Sequence, residues 1–174
     1  MGTWHQLSAR EARLNGASGF SLIELLIVVA IILIIAAIAI PNLMRSKMAA
    51  NESSAVGSIR TINTAMVTYS TAYPATGFAA GLTNLGGAAA TCATSTGATS
   101  TSACLIDNVL STGTKSGYNF TATGAGGTPA VTYTSQAVPV AIGQSGQRSF
   151  CSDQSGVIYY NLTGGACSNA NTPL

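Results

Sequence analysis

The most conspicuous pattern in the chain is a long apolar run close to its beginning. Every residue from Leu25 to Ile40 is apolar, and counting from Phe20 only Ser21 and Glu24 interrupt the run. As an α-helix rising about 1.5 Å per residue, this stretch measures about 31 Å, which matches the hydrocarbon thickness of a bilayer. The pattern therefore predicts a helix that spans a membrane.

The helical pattern continues beyond Pro41, but with one apolar stripe instead of an apolar surface all round. Pro41 has no backbone N–H and is expected to kink or loosen the helix. Pro74 predicts that the helix ends at Tyr73, so we expect one helix of about fifty residues whose second half packs on a domain. The stripe consists of Met48, Glu52, Ala55, Ile59, Ile62, Met66, Tyr69 and Tyr73, and the positions mostly outside it are Asn51, Ser53, Ser58, Thr61, Asn63 and Thr68.

A loop and a short helix are predicted next. The stretch from Pro74 to Ser102 is low in complexity, which is typical of a surface loop. Ser102 is expected to cap a short helix that Gly113 ends. The residues expected on the buried face of this helix are Leu105, Ile106, Val109 and Leu110.

Strand patterns separated by glycine-containing turns fill the rest of the chain. A helix on one face of such strands predicts an α+β domain, in which a long N-terminal α-helix packs on a four-stranded antiparallel sheet. The four predicted strands are Tyr118–Thr123, Ala130–Ser135, Arg148–Ser152 and Val157–Leu162.

Charge is scarce along the chain. Charged residues make up 7% of it, against about 25% in an average domain. The net charge is +2, and the basic residues are scattered, so they form no stripe that could hold nucleic-acid phosphates. We therefore exclude nucleic acid as a primary partner. The basic residues are Arg10, Arg13, Arg45, Lys47, Arg60, Lys115 and Arg148.

The sequence does not contain the combinations of side chains that common catalytic sites need. His5 is the sole histidine, and neither a Ser-His-Asp nor a Cys-His arrangement nor a phosphate-binding glycine loop can be built. The sequence predicts that the protein is not an enzyme and has no catalytic residue, cofactor or metal. Residues 153–156, Asp-Gln-Ser-Gly, could contribute to a calcium site, but a turn between strands explains them equally well, and we favour the turn.

Four cysteines indicate disulfides. They have neither C-x-x-C spacing nor a neighbouring histidine, which argues against zinc. An even number in an exported chain favours disulfides, for which three pairings are possible. We favour the sequential pairing, Cys92 with Cys104 and Cys151 with Cys167.

The nineteen residues before the apolar run form a separate segment. They are polar, carry Arg10, Glu11 and Arg13, and end in Gly-Ala-Ser-Gly, which offers a protease a flexible site. The arginines hold this end in the cytoplasm. No small-x-small cleavage site follows Ile40, so we expect the apolar segment to stay in the mature protein.

A family resemblance rests on the stretch "GFSLIELLIVVAIILIIAAIAIPNL", residues 19–43. It resembles the class III signal of type IV pilins and of the related pseudopilins of type II secretion. The resemblance implies that a membrane peptidase cleaves after Gly19 and methylates the new amine of Phe20. The stretches "LIDNVLSTGTKSGYNF" and "FCSDQSGVIYYN" also resemble the globular part of many pilins, which implies a pilin fold.

The resemblance gives Glu24 a role. A carboxylate at membrane depth costs about 2.5–3.5 kcal/mol on insertion scales, so a partner is expected. After cleavage the amine of Phe20 lies one helical turn away, and an internal pair is possible. The resemblance implies instead that the amine of an incoming subunit meets Glu24 of its neighbour in the filament. A Glu24 solvated at headgroup level is the plainer alternative.

The resemblance also predicts the localisation of the chain and its partners. The chain would be a single-pass precursor in the inner membrane and then part of an extracellular pilus, a homopolymer made with the help of a prepilin peptidase/N-methyltransferase and a pilus assembly platform. The alternatives are a pseudopilin of a type II secretion system and a single-span anchored binding module. The expected segments are a leader at 1–19, a polymerisation helix at 20–41, an amphipathic half-helix at 42–73, a loop with a short helix at 74–116, and a sheet with a disulfide-bonded C-terminal region at 117–174.

Overall fold

A computed structural model describes residues 20–87, 92 and 97–174 of the chain. Backbone contacts divide the chain between Ile40 and Pro41 into two compact units. Among these residues, helices with described bounds are α1 (Leu22–Ala72), α2 (Leu82–Leu85) and α3 (Asn108–Ser111). The strands are β1 (Thr114–Lys115), β2 (Tyr118–Ala125), β3 (Thr132–Pro139), β4 (Ser149–Asp153), β5 (Ile158–Asn161) and β6 (Thr172–Pro173).

The predicted long helix is confirmed. Helix α1 contains 51 residues and ends at Ala72, one residue before the predicted end. Pro41 lies inside α1, and the helix continues through it. A local kink or loosening at Pro41 therefore stays a prediction. The leader and its cleavage residue Gly19 lie outside the described residues.

The α+β architecture is also confirmed, with one difference in the sheet. In the described part of the chain, the sheet has six strands in the order β1-β2-β3-β4-β5-β6, each antiparallel to its neighbour. Four strands were predicted, and they correspond to β2–β5. The additional strands, β1 and β6, lie at the two edges and contain two residues each. Two residues are too few to give an alternating pattern, so the sequence carried no signal for them.

The second half of α1 packs on the inner face of this sheet. Its stripe supplies the buried residues Ala55, Ile59, Ile62, Met66 and Tyr69. The strands meet the stripe with aromatic side chains that point inward at alternating positions. These side chains are Tyr118, Phe120, Tyr133 and Phe150.

Two polar positions of α1 were assigned wrongly from the sequence. Ser58 and Asn63 were expected outside the stripe, but both are buried. Asn63 is tolerated because its amide donates to Ser152 Oγ at 2.7 Å and accepts from Ser135 Oγ at 3.2 Å. A buried amide is stable when such partners satisfy it. The stripe at this height is therefore wider than the apolar residues alone indicate.

The short helix after the loop also differs from the prediction. Helix α3 begins six residues after Ser102, and its N-cap is Asp107, whose carboxylate accepts from the Leu110 amide at 2.9 Å. Val109 is exposed, whereas Leu110 is buried. Asp107 is the better cap because its carboxylate is aligned with the free N–H groups of the first turn. Gly113 follows the helix with φ +85°, as expected of a glycine that ends a helix.

Candidate functional site

The apolar first part of α1 has no covering layer within the described chain. Every large apolar side chain from Phe20 to Met44 is at least 46% exposed, and Phe20 itself is 76% exposed. By length and composition, α1 is a helix that could cross a membrane. A rod that is apolar on all sides needs lipid or other helices around it. This apolar segment is therefore the main candidate for the functional site of the protein.

Glu24 lies in the first turn of this rod and caps it. Ser21 immediately precedes the helix, and its backbone N–H donates to Glu24 Oε2 at 3.0 Å. This is one half of a capping box, in which the third helical residue satisfies the amide of the N-cap residue. The sequence signal for this contact is the Ser-x-x-Glu spacing of residues 21–24. Within the described residues, no lysine or arginine forms an ion pair with Glu24.

A second acidic residue of α1, Glu52, fastens the helix to the sheet. Its Oε1 accepts from the backbone amides of Gln147 and Arg148 at 2.9 and 3.1 Å, and its Oε2 lies 2.8 Å from an Arg148 guanidinium nitrogen. The Glu52 side chain is 12% exposed. Arg148 also lies over the rings of Phe150 and Tyr160. Glu52 therefore has a structural role within the domain.

The environment of Glu52 lowers its pKa. Burial favours the neutral carboxyl, but the hydrogen bonds from Gln147 and Arg148 and the charge of Arg148 outweigh it, so the pKa lies below its ordinary value. A carboxyl whose pKa is lower in the folded state stabilises the fold above its unfolded pKa. That contribution is lost as the pH falls through the folded pKa.

We predict that Glu52→Gln lowers the free energy of unfolding at pH 7 by about 1–3 kcal/mol, because the ion pair and two charge-assisted hydrogen bonds weaken. We also predict a shallower loss of stability than in the wild type when the pH falls below about 4.3, the ordinary glutamate pKa. Urea unfolding of the full chain in detergent, followed by near-UV circular dichroism, measures both. Lys47→Gln is the control, since Lys47 is exposed and in no ion pair of the described chain. Identical pH profiles for Glu52→Gln and wild type would contradict this account.

Two disulfides cross-link the domain. They join Cys92 to Cys104 and Cys151 to Cys167, which is the sequential pairing. The second bond attaches the C-terminal segment to β4. Two hydrogen bonds hold the same segment over the outer face of the sheet, from Ser149 Oγ to the Gly165 carbonyl and from Gln136 Nε2 to the Cys167 carbonyl.

Residues 153–156 form a turn between β4 and β5. Asp153 Oδ1 accepts from the amide and the hydroxyl of Ser155 at 2.9 and 2.6 Å, and Gly156 has φ +75°. The hydrogen bond from the Ser155 hydroxyl is the largest influence on Asp153 and lowers its pKa. Within the described residues, no three acidic, histidine or cysteine side chains cluster as metal ligands. These contacts form the turn that the sequence predicts at residues 153–156.

Comparison with known proteins gives two matches. The prokaryotic N-terminal methylation motif matches residues 14–40. The type IV wide pilus major component PilA4 of Thermus thermophilus is 55% identical over 40 residues, which are 23% of this chain and 30% of that protein. The resemblance to the type IV pilin family is therefore supported at the level of the N-terminal signal. No solved structure matches the chain.

Proposed function

We propose that this chain, which carries the N-terminal methylation motif of type IV pilins and pseudopilins, is a structural subunit of an extracellular type IV pilus. The observation that carries the proposal is the exposed apolar rod of α1 with Glu24 in its first turn, within the matched motif. The globular domain would form the outer part of the filament, where adhesion and motility are exerted.

Processing prepares the rod for assembly. Cleavage after Gly19 by a prepilin peptidase frees the amine of Phe20, which the same enzyme methylates. Before assembly, the precursor is inserted in the inner membrane, where lipid covers the exposed apolar side chains of α1. A pilus assembly platform then extracts the subunit and adds it to the filament.

Glu24 sets the axial position of each new subunit. Leaving a buried charge unmatched costs several kcal/mol, so the amine of an incoming Phe20 is drawn to the Glu24 carboxylate of its neighbour. The capping contact with Ser21 occupies Oε2, and Oε1 is the oxygen on which the amine would dock. A subunit out of register would bury both charges without partners.

Packing of the rods supplies the remaining energy. Because lipid tails are as apolar as the rod, the gain comes from close van der Waals contact and not from the full hydrophobic effect. Small residues within the rod, such as Ala36 and Ala37, permit neighbouring helices to approach closely. Contacts of this kind join different faces of each copy and do not close into a ring, so they produce a filament.

Electron microscopy of filaments sheared from the cell surface tests this proposal. We expect an antibody against the domain to decorate long filaments, and we expect none on cells that lack the gene. A wild-type chain found only in the membrane fraction, on cells without filaments, would contradict the proposal. A secretion pseudopilin is the second candidate, favoured by the shared signal. Loss of exoprotein secretion without loss of surface filaments in the deletion strain would identify it.

A further inference from the structure

The domain carries a depression between the beginning of its part of α1 and a loop of the sheet. Lys47 and Asn51 of α1 line one side, and residues of the 140–147 loop line another. The depression has a volume of about 440 Å³. The Asn51 amide donates to the Ser145 carbonyl at 2.8 Å, which fastens the loop to the helix. All of these residues belong to the unit that begins at Pro41, so the depression is a feature of the domain itself.

Exposed apolar side chains lie on this loop and on the turn beside it. Val140, Ile142 and Leu162 are each at least 54% exposed. The loop and the turn are neighbours, because a β-carbon placed on Gly164 would meet side-chain carbons of Ile142 at 3.1 and 3.2 Å. These loops lie at the end of the sheet where β3 and β5 end and β4 begins. Three large apolar side chains are therefore open to solvent at this end of the domain.

The charge at this end is positive. Arg45 and Lys47 are in no ion pair of the described chain. Glu52, the nearest acidic side chain along α1, is engaged by Arg148 at 2.8 Å. Among the described residues, no acidic side chain lines the depression beside Lys47. Cations next to exposed apolar side chains are typical of surfaces that bind an anionic membrane interface.

Chain connectivity keeps Lys47 close to the membrane surface. Lys47 follows Ile40, the last residue of the apolar run, by seven positions, which span about 10 Å of helix. The headgroup layer extends about 5–7 Å beyond the hydrocarbon on each side of a bilayer. The flexible stem of a lysine carries its ammonium group back toward such headgroups. Lipid phosphates are therefore within reach of Lys47, whatever angle α1 takes at Pro41.

We propose that the surface formed by Lys47, Val140, Ile142 and Leu162 binds the anionic lipid surface in which the rod is inserted. The Lys47 ammonium binds the phosphate of a lipid headgroup, and Ile142 lies among the uppermost acyl-chain carbons. This contact holds the domain against the bilayer until assembly removes the subunit. The inference rests on the proposed function only through its first stage, insertion of the rod in a membrane.

Tryptophan fluorescence in vesicles tests this surface. The chain has one tryptophan, Trp4, so Ile142→Trp in a full chain that also carries Trp4→Phe provides a single reporter. Val131→Trp is the matched control, because Val131 is similarly exposed but lies between β2 and β3, at the opposite end of the sheet. The vesicles contain phosphatidylcholine and phosphatidylglycerol whose acyl chains are brominated close to the headgroup. We expect bromine to quench Ile142→Trp several times more strongly than Val131→Trp.

Charge variants of the Ile142→Trp chain test the role of the lysine. Lys47→Glu should reduce the quenching severalfold, because a carboxylate repels anionic headgroups. Arg60→Glu makes the same change of charge thirteen residues further along α1, about 20 Å away, and should leave the quenching unchanged. Vesicles of phosphatidylcholine alone should reduce the quenching as Lys47→Glu does. Flotation with the vesicles verifies insertion, and non-reducing gels verify the disulfides of each variant.

Three fluorescence results would overturn the inference. They are equal quenching of the reporters at 142 and 131, quenching that Lys47→Glu leaves unchanged, and equal losses from Lys47→Glu and Arg60→Glu. A reporter at 142 that lipid does not quench, together with a loss of filaments in cells that carry Lys47→Glu, would assign the surface to a second copy and also overturn it. Failure of the proposed function would look different, because the wild-type chain would then form no filaments although the reporter at 142 is quenched as expected.

Discussion

Cells that carry Glu24→Ala are expected to insert and process the chain normally but to assemble few filaments. Insertion depends on the apolar run, which the substitution leaves intact, and cleavage depends on the junction at Gly19. Assembly changes because the amine of each incoming Phe20 then enters the filament core without a partner. An unmatched buried charge costs several kcal/mol, and each 1.4 kcal/mol is about a factor of ten, so we expect at least a tenfold loss of filaments.

The capping contact in the structure makes a sharper version of this experiment possible. Glu24→Gln removes the charge but keeps an oxygen that can accept from the Ser21 amide, the donor observed at 3.0 Å. Ser21→Ala keeps that backbone donor and serves as the control. We expect Glu24→Gln to assemble as poorly as Glu24→Ala, and Ser21→Ala to assemble normally. Normal filaments from Glu24→Gln would mean that Glu24 acts as a helix cap and not as a charge partner.

Removal of the Cys151–Cys167 disulfide is expected to have the largest effect on the stability of the domain. The bond closes a loop of sixteen residues, for which constraint of the unfolded chain contributes about 3 kcal/mol, within a range of about 2–5 kcal/mol for native disulfides. It also attaches the C-terminal segment to β4, so its loss frees residues that cover the sheet. The double variant Cys151→Ala with Cys167→Ala should therefore unfold at a clearly lower urea concentration.

A control variant is included in the same urea titration of the full chain in detergent. Ser168→Ala changes an exposed side chain next to Cys167, and exposed substitutions of this kind stay within about 0.5 kcal/mol. We expect the double cysteine variant to differ from wild type several times more than Ser168→Ala does. An unchanged midpoint in the double variant would show that the hydrogen bonds from Ser149 and Gln136 hold the segment without the disulfide.

The sequence predicted the elements whose information is local. The apolar run and the stripe after Pro41 have helical spacing over dozens of residues, so α1 was predicted almost to its last residue. The strands β2–β5 alternate buried and exposed positions or are bounded by glycine turns, and their positions were predicted to within a few residues. The two-residue edge strands carry no period and could not be recognised.

The sequence could not predict the interactions that fix the helix on the sheet, because the partners are far apart along the chain. Glu52 bonds to Arg148, 96 residues away, and Asn63 bonds to Ser152, 89 residues away. Without the fold, Glu52 is an unexplained charge on an apolar stripe and Asn63 is an ordinary surface residue. The Ser21 cap is a different case, because the Ser-x-x-Glu spacing of residues 21–24 is a local signal in the sequence.

The partner proposed for Glu24 belongs to another copy of the chain. This pairing requires that the free amine of Phe20 exists in the assembled state. The exposed rod of α1 and the methylation motif support this requirement.

The most direct test is the intact mass of the chain recovered from sheared surface filaments. We predict a chain that begins at Phe20 and carries one methyl group on its amine, with the mass of both disulfides included. A chain that retains its first nineteen residues and is found only as single copies in the membrane would contradict the account.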